Sequence, residues 1–204
     1  MHKHKLSSIV LVVLFLSACA PLYEKSYSAR DPSIGWQERQ AEFRQLTKWQ
    51  MVGRVSIAQD KKAWNAGINW HENNGVYRIK MMGPFSQGGF HLDGTPKQVI
   101  LTLSDGKTVA SSSPQALLTE TFNLNLPLSA LRSWLKGLPY QGGTPYKSIE
   151  IDNQGRLKYI EQQGWKINYQ QYKTYGQRQM PSKIFMSHPE LSMRLVVDSW
   201  KYVQ

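Results

Sequence analysis

Apolar and polar residues alternate along most of the chain beyond residue 48, which is typical of strands with one apolar face. The apolar positions of the first four such segments are Trp49, Met51, Val55 and Ile57; Trp64, Ala66, Ile68 and Trp70; Tyr77, Ile79 and Met81; and Val99, Leu101 and Leu103. The alternation continues in five later segments: 148–152, 157–162, 165–172, 184–186 and 191–200. We therefore predict a mainly antiparallel sheet of roughly ten or eleven strands.

Turn-forming sequences separate these segments. Asn73-Asn74-Gly75 and Asn153-Gln154-Gly155 combine residues that tolerate the left-handed backbone conformation of tight turns. Gln59 to Lys62 and Ser104 to Lys107 are further polar breaks of the same kind. The strands are thus expected to be joined by hairpins.

Three segments with helical spacing interrupt the sheet. The first runs from Trp36 to Trp49, the second opens at Ser113-Pro114 with an N-cap followed by proline, and the third spans Ser129 to Lys136 before Gly137. Amphipathic helices of this type cover a sheet face. One apolar face of about ten strands exposes more surface than three short helices can shield from water.

The N-terminus has the layout of a secretory signal. Basic residues 2–5 precede the apolar run Ile9 to Leu16, which is far shorter than the roughly 20 residues of a membrane-spanning helix. Cys19, the single cysteine, follows Leu16-Ser17-Ala18. This order resembles the bacterial lipobox, in which the cysteine carries the lipid; the alternative is a chance cysteine in an ordinary signal.

We accordingly predict three parts: a lipoprotein signal peptide over 1–18, a lipidated Cys19 with a flexible tether over 19–33, and a single domain over 34–204. The resemblance to bacterial lipoproteins implies an envelope location, and Ala20 implies export to the outer membrane. Two or three acyl chains suffice for stable attachment, because each buried methylene contributes about 0.8 kcal/mol.

The basic balance of the chain, a formal net charge of +11 at pH 7, favours anionic partners such as phospholipid head groups. Export and the scattered positions of the Lys and Arg residues argue against nucleic acid. A mixed, solvated surface is the alternative explanation of the charge.

Enzymatic chemistry has little support in the sequence. His71-Glu72 and His91-x-Asp93 are too sparse for a metal site and read as surface polar residues. The chain contains neither Gly-x-Ser-x-Gly, nor a phosphate loop, nor His-Glu-x-x-His. We expect no enzyme activity, cofactor or metal.

Order and spacing of several segments resemble the LolB family of outer-membrane lipoprotein receptors. The lipobox, a leading helix, the strand WQMVGRVSI, the segment WNAGINWHENNGVYRIKMMGPF, the helix PLSALRSWLKGLP and the terminal MRLVVDSW carry the resemblance. It implies an open, incomplete antiparallel β-barrel of about eleven strands with a helical lid over an apolar cavity. It also implies a monomer that receives lipoproteins from the periplasmic carrier LolA and releases them into the outer membrane.

A cavity for acyl chains requires a large apolar face, which the predicted sheet supplies. Methionines suit chains of varying shape, and Met51, Met81 and Met82 are available together with the aromatic residues Trp64, Trp70 and Phe90. For any single residue the alternative is ordinary core. The candidates are Met51, Val55, Ile57, Trp64, Ile68, Trp70, Ile79, Met81, Phe90, Leu101, Leu131, Trp134 and Leu135.

One aromatic residue, Phe85, lies in the turn-like stretch GPFSQGG. The ring either folds back onto its own sheet or is exposed. The family resemblance implies an exposed hydrophobic side chain here that inserts into the membrane. Two other functions remain open: a structural accessory of another envelope machine, and a binder of lipid or lipopolysaccharide.

Overall fold

The computed structural model describes residues 31–83 and 88–202. Their strands form one antiparallel sheet with the order β6-β5-β4-β3-β2-β1-β11-β10-β9-β8-β7, so that the first and last strands of the chain pair at its centre. Within the described residues β6 and β7 remain unpaired edges, and the barrel is therefore open, as predicted. The strands are β1 (Lys48–Gln59), β2 (Lys62–Asn73), β3 (Val76–Met82), β4 (Gly89–Gly94), β5 (Val99–Leu103), β6 (Thr108–Ser111), β7 (Ser148–Ile151), β8 (Leu157–Gln162), β9 (Trp165–Tyr175), β10 (Arg178–His188) and β11 (Leu191–Tyr202).

Each segment that the alternation predicted is a strand. The structure adds β4 and β6, which are short and carry a weak alternating signal. The turn predictions are confirmed by the backbone: Asn74 and Gly75 have φ of 52° and 87°, and Gly155 has φ of 68°. Gly53 permits a β-bulge against β11, because a Cβ there would lie 2.4 Å from the carbonyl oxygen of Val196.

Three helices occur in the described residues: α1 (Pro32–Gln45), α2 (Pro114–Phe122) and α3 (Leu128–Leu135). Asp31 caps α1, since its carboxylate accepts a hydrogen bond from the Ser33 N–H at 2.8 Å. The prediction that the first helix extends to Trp49 is wrong. Trp49 belongs to β1 and pairs with Glu72 and Tyr202, because the strand pattern that begins at Lys48 buries its side chain.

The inner face of the sheet has two unequal halves. On the side of β8 to β10, the Trp134 ring of α3 lies 6.2 Å from that of Trp165. At the centre, the Trp49 ring lies 5.6 Å from Trp70 and 5.3 Å from Trp200. Trp134 and Trp165 fill the half formed by β8 to β10, and the cluster of Trp49, Trp70 and Trp200 packs the centre. The half formed by β1 to β4 contains open space instead.

Candidate functional site: an apolar cavity

A cavity of ≈ 560 Å³ lies between strands β1 to β4 and the segment from α2 to α3. Asn65 supplies the one polar side chain among its described lining residues. The lining comprises Met51, Val55, Ile57, Ala63, Trp64, Asn65, Ala66, Ile68, Trp70, Ile79, Met81, Gly83, Gly88, Gly89, Phe90, Leu92, Leu118, Phe122, Leu124, Leu126, Leu128, Leu131, Leu135, Met186, Met193 and Leu195. Such a site holds an apolar ligand and offers little to a polar one.

All the predicted cavity residues line this space except Leu101 and Trp134. Leu101 is fully buried on β5, one strand beyond the cavity-lining residue Leu92, and belongs to the core. Trp134 points to the filled half of the barrel, where its indole N–H donates to Gln162 Oε1 at 2.9 Å. Met82, which was grouped with Met51 and Met81, lies on the outer face and is 52% exposed.

The residues predicted from the sequence do not include part of the cavity wall. Leu124 and Leu126 in the connection from α2 to α3, and Leu128 at the start of α3, alternate with polar or proline residues and form part of the roof without being a strand. Their alternation was a usable signal. Met186, Met193 and Leu195 come from β10 and β11, which approach β1 only in the folded sheet.

Trp64, near the start of β2, lines the cavity and is 41% exposed, so the cavity opens to solvent beside this residue. Beside this mouth, β3 ends at Met82 and β4 begins at Gly89. Gly83 and Gly88 also line the cavity, and the Gly83 N–H donates to the Gly88 carbonyl oxygen at 3.1 Å. Phe85 lies between these two glycines, outside the described residues.

An ion pair between a half-buried arginine and a buried glutamate holds α3 to the rim of the sheet. Arg132 Nε lies 3.2 Å from Glu72 Oε2, which also accepts the Trp70 indole N–H at 3.3 Å. Burial raises the pKa of Glu72 above its ordinary value, against the opposing attraction of Arg132. The prediction that Glu72 is a surface residue is therefore wrong: it positions the helix that roofs the cavity.

Lys136 ties the end of α3 to the end of α1. Its Nζ donates to the carbonyl oxygens of Phe43 and Leu46 at 2.9 and 3.0 Å, which would otherwise lack partners at the end of α1. Burial lowers the pKa of Lys136 to about 8. On the other side, the Tyr169 hydroxyl donates to the Trp134 carbonyl oxygen at 2.7 Å.

Helix α2, unlike α3, is attached to the sheet mainly by apolar contacts. The Phe122 ring stacks on the Phe90 ring of β4 with centroids 4.8 Å apart. The Gln59 side-chain amide donates to the Asn123 carbonyl oxygen at 2.9 Å, at an exposed position. Leu117 and Leu118 add buried apolar surface. The cover over the cavity thus combines a helix held by buried polar groups with one held mainly by apolar contacts.

Within residues 31–83 and 88–202, no group of three or more His, Cys, Asp or Glu side chains is arranged to hold a metal ion. No helix in this part of the chain is long and apolar enough to cross a membrane.

The unclosed sheet, the helices on its inner face and the apolar cavity define an open β-barrel with a helical cover. A LolA superfamily protein from Nitrosomonas europaea shares this fold, with a TM-score of 0.55 and 10% identity over 85% of this chain and 94% of that one. Residues 47–200 match the family described as outer membrane lipoprotein LolB. The chain belongs to the LolB family.

Relatives agree with this assignment over almost the full chain. The outer-membrane lipoprotein LolB of Nitrosococcus oceani is 37% identical to this chain, and the alignment covers 97% of each of the two chains. That of Chromohalobacter salexigens is 33% identical over 95% of this chain and 88% of its own. The family is one of outer-membrane lipoproteins of the Lol pathway and not of enzymes, and the predicted outer-membrane location is confirmed.

Proposed function

We propose that this protein accepts lipoproteins from the periplasmic carrier LolA and inserts them into the inner leaflet of the outer membrane. The observation that carries the proposal is the cavity, whose described side chains are apolar except for Asn65. Its ≈ 560 Å³ lies within the range of about 300–1,000 Å³ that ligand pockets occupy. The acyl chains of the lipoprotein are the ligand.

The energetics of an acyl chain explain why an open cavity is sufficient. A chain of about 15 methylenes gains about 12 kcal/mol on leaving water, at about 0.8 kcal/mol per methylene. The bilayer provides the same gain, so that moving the chain from cavity to membrane involves a small free-energy difference. The mouth beside Trp64 leaves part of the chain less buried than in lipid, which favours delivery without nucleotide.

Flexible lining side chains suit this role. Met51, Met81, Met186 and Met193 surround the cavity from four strands, and their unbranched thioether side chains repack around ligands of different shape. A protein that serves many lipoproteins needs this tolerance, since it must recognise the lipid part that they share.

Delivery requires that the mouth face the membrane. Two parts of the proposal concern this orientation: Cys19 carries the lipid anchor, and the Phe85 side chain enters the acyl layer beside the mouth. The support for Phe85 is its place in the chain between Gly83 and Gly88, which both line the cavity. An aromatic ring favours the boundary between head groups and acyl chains.

A cavity-filling variant tests the proposal. Ala66→Phe places a ring in the cavity, whereas Ala110→Phe adds the same ring at an exposed position on β6. Purified protein is mixed with a complex of carrier and lipoprotein, and the lipoprotein is followed to the new protein and then to liposomes. We expect transfer to fail for Ala66→Phe and to proceed for Ala110→Phe.

Normal transfer to a folded Ala66→Phe protein would contradict the proposal. If the unmodified protein takes no acylated protein from the carrier, a structural accessory is favoured. Mass spectrometry of co-purified ligands identifies the third possibility, because a lipopolysaccharide binder would retain lipopolysaccharide rather than lipoprotein.

A further inference from the structure

The outer face of the sheet carries a second, smaller depression of ≈ 370 Å³. Its position follows from the strand register: outward-facing Arg54, Gly67 and Met82 lie side by side on β1, β2 and β3, while their chain neighbours Val55, Ile68 and Met81 line the cavity. The remaining lining residues are Val55, Ser56, Asn65, Ala66, Gly83 and Val196, of which Val55, Asn65, Ala66 and Gly83 also border the cavity.

Gly67 forms the floor, because it has no side chain between Arg54 and Met82. A Cβ added there would lie 3.9 Å from its nearest neighbour, the carbonyl oxygen of Met82. The space above Gly67 could therefore be occupied by a side chain without a clash. A glycine in a strand interior costs stability and often marks a place where a ligand approaches the backbone.

Three cations lie on this outer face: Arg54 in the wall of the depression, with Lys80 and Arg194 on strands to either side of it. The Arg54 side chain is 70% exposed and lies 3.0 Å from the carboxylate of Asp198. Arg194 pairs in register with Ser56, and Lys80 pairs with Asn69, two residues along β2 from Gly67. Neither Arg194 nor Lys80 has an acidic side chain within 4.0 Å among residues 31–83 and 88–202, so that the local charge is positive.

An exposed apolar side chain accompanies the charges. Met82 is 52% exposed and belongs to the wall, at the end of β3 nearest the cavity mouth. Lys80 lies two residues back on the same face, about 7 Å along the strand. A lipid surface has this sequence of layers, with apolar groups inside and phosphates outside.

We propose that this depression binds the head group of an anionic phospholipid of the membrane. The phosphate pairs with Lys80 and Arg54, Arg194 adds attraction at longer range, the Ser56 hydroxyl and the Asn65 amide hydrogen-bond to head-group oxygens, and Met82 contacts the glycerol and upper acyl region. The inference deepens the proposed function, because it assigns the lipid that the membrane-facing side recognises.

A protein partner fits this surface less well. A stable protein interface buries about 800 Å² on each partner, and the depression offers one exposed large apolar side chain, Met82, on a small surface that also carries Arg54, Ser56 and Asn65. A head group is of the right size and charge.

Methyl NMR of the methionines tests the proposal with the mature chain carrying Cys19→Ala, which removes only the acylation site. The probes are dihexanoyl phosphatidylglycerol and dihexanoyl phosphatidylcholine below their micelle-forming concentrations. The Met82 methyl reports on the depression, and the fully buried Met51 methyl reports on the cavity. We expect saturable shifts of Met82 with phosphatidylglycerol, and binding of phosphatidylcholine weaker by about fivefold or more.

Matched variants define the site. Gly67→Val fills the floor with a residue that favours strands and should abolish the Met82 shifts. Lys80→Gln should weaken phosphatidylglycerol binding by about fivefold, whereas Lys201→Gln, the same change on an exposed residue at the far end of β11, should leave it unaltered. The double variant Lys80→Gln and Arg194→Gln provides a second test if Gly67→Val does not fold.

Three results would overturn the proposal: equal binding of the two lipids, shifts at Met51 without shifts at Met82, or unchanged Met82 shifts in the double variant. Failure of lipoprotein transfer would leave the Met82 result standing, because head-group binding is read without carrier or cargo. The two proposals can therefore fail separately.

Discussion

Phe122 of α2 stacks on Phe90 of β4, with the ring centroids 4.8 Å apart and the ring planes 29° from parallel. This pair joins the cover to the sheet at the wall of the cavity. By contrast, α3 is fixed by the ion pair of Arg132 with Glu72 and by Lys136. The cover should therefore open at α2 before it opens at α3.

Hydrogen exchange tests this order with the variant Phe122→Ala. Loss of the ring removes a stacked aromatic contact and half-buried apolar surface, so the free energy of opening α2 should fall by about 1–2 kcal/mol. Amide exchange in α2 should accelerate by about tenfold, since about 1.4 kcal/mol corresponds to a factor of ten. The amides of α3 serve as the internal control; equal acceleration in both helices would show that the cover moves as one piece.

The depressed pKa of Lys136 predicts a rise of stability with pH. Between its folded value of about 8 and its unfolded value of about 10.4, the unfolded chain holds the proton that the folded protein has released. The free energy of unfolding should then increase by up to about 1.4 kcal/mol per pH unit from this residue. Chemical denaturation at pH 8, 9 and 10 measures the trend.

Lys136→Met is the reference for that measurement, because it lacks the titrating amine. The difference between the free energies of unfolding of the two proteins removes the contributions of other titrating groups. These include Tyr169 and Tyr172, whose pKa values are raised by burial. A difference that stays constant from pH 8 to pH 10 would be incompatible with a depressed pKa at Lys136.

Adjacent methionines on β3 provide a matched test of the cavity. Met81 lines the cavity, whereas Met82 faces outward. Met81→Asn should weaken binding of an apolar dye that lipoprotein displaces, and Met82→Asn should leave dye binding unchanged, because only the first places an amide against the ligand. Fluorescence titration beside a melting curve separates binding from stability.

Ile79 has both a lining and a core role, since it borders the cavity and is 4% exposed. Ile79→Asn should therefore reduce dye binding and also the free energy of unfolding by about 2–4 kcal/mol. Full dye binding by folded Met81→Asn and Ile79→Asn proteins would remove both residues from the proposed acyl site.

Phe85→Glu tests the proposed membrane contact in a two-step assay. A carboxylate resists entry into the acyl layer and is repelled by anionic head groups, so insertion into liposomes should fail while transfer from the carrier continues. Lipoprotein should accumulate on the variant. Thermal unfolding, measured in parallel, should change little.

Ser86→Glu is the matched control, because it adds the same charge to the neighbouring residue and keeps the ring. We expect a smaller effect on insertion than for Phe85→Glu. A large loss of stability in Phe85→Glu would instead mean that the ring packs on the sheet, which is the alternative explanation of its presence in a turn-like stretch.

The sheet could be predicted from the sequence because strand alternation is a local property. Residues such as Val55, Ile57 and Ile79 face inward in the structure as their spacing indicated, and Asn74-Gly75 forms the expected turn. The ambiguous element was the segment before Trp49, where helical and strand patterns overlap. Pairing with two neighbouring strands resolved it, and such pairing involves residues distant in the chain.

The division of the inward face into cavity and core was decided by tertiary structure alone. Leu101 and Trp134 have the same local pattern as Met81 and Leu131, yet only the latter two border open space. The periodicity of the sequence indicates which face of the sheet is apolar, whereas the presence of a cavity depends on how much volume the opposing helices fill. That volume is set by contacts far apart in sequence, such as Glu72 with Arg132 and Lys136 with Phe43, which hold α3 where it covers the cavity without filling it.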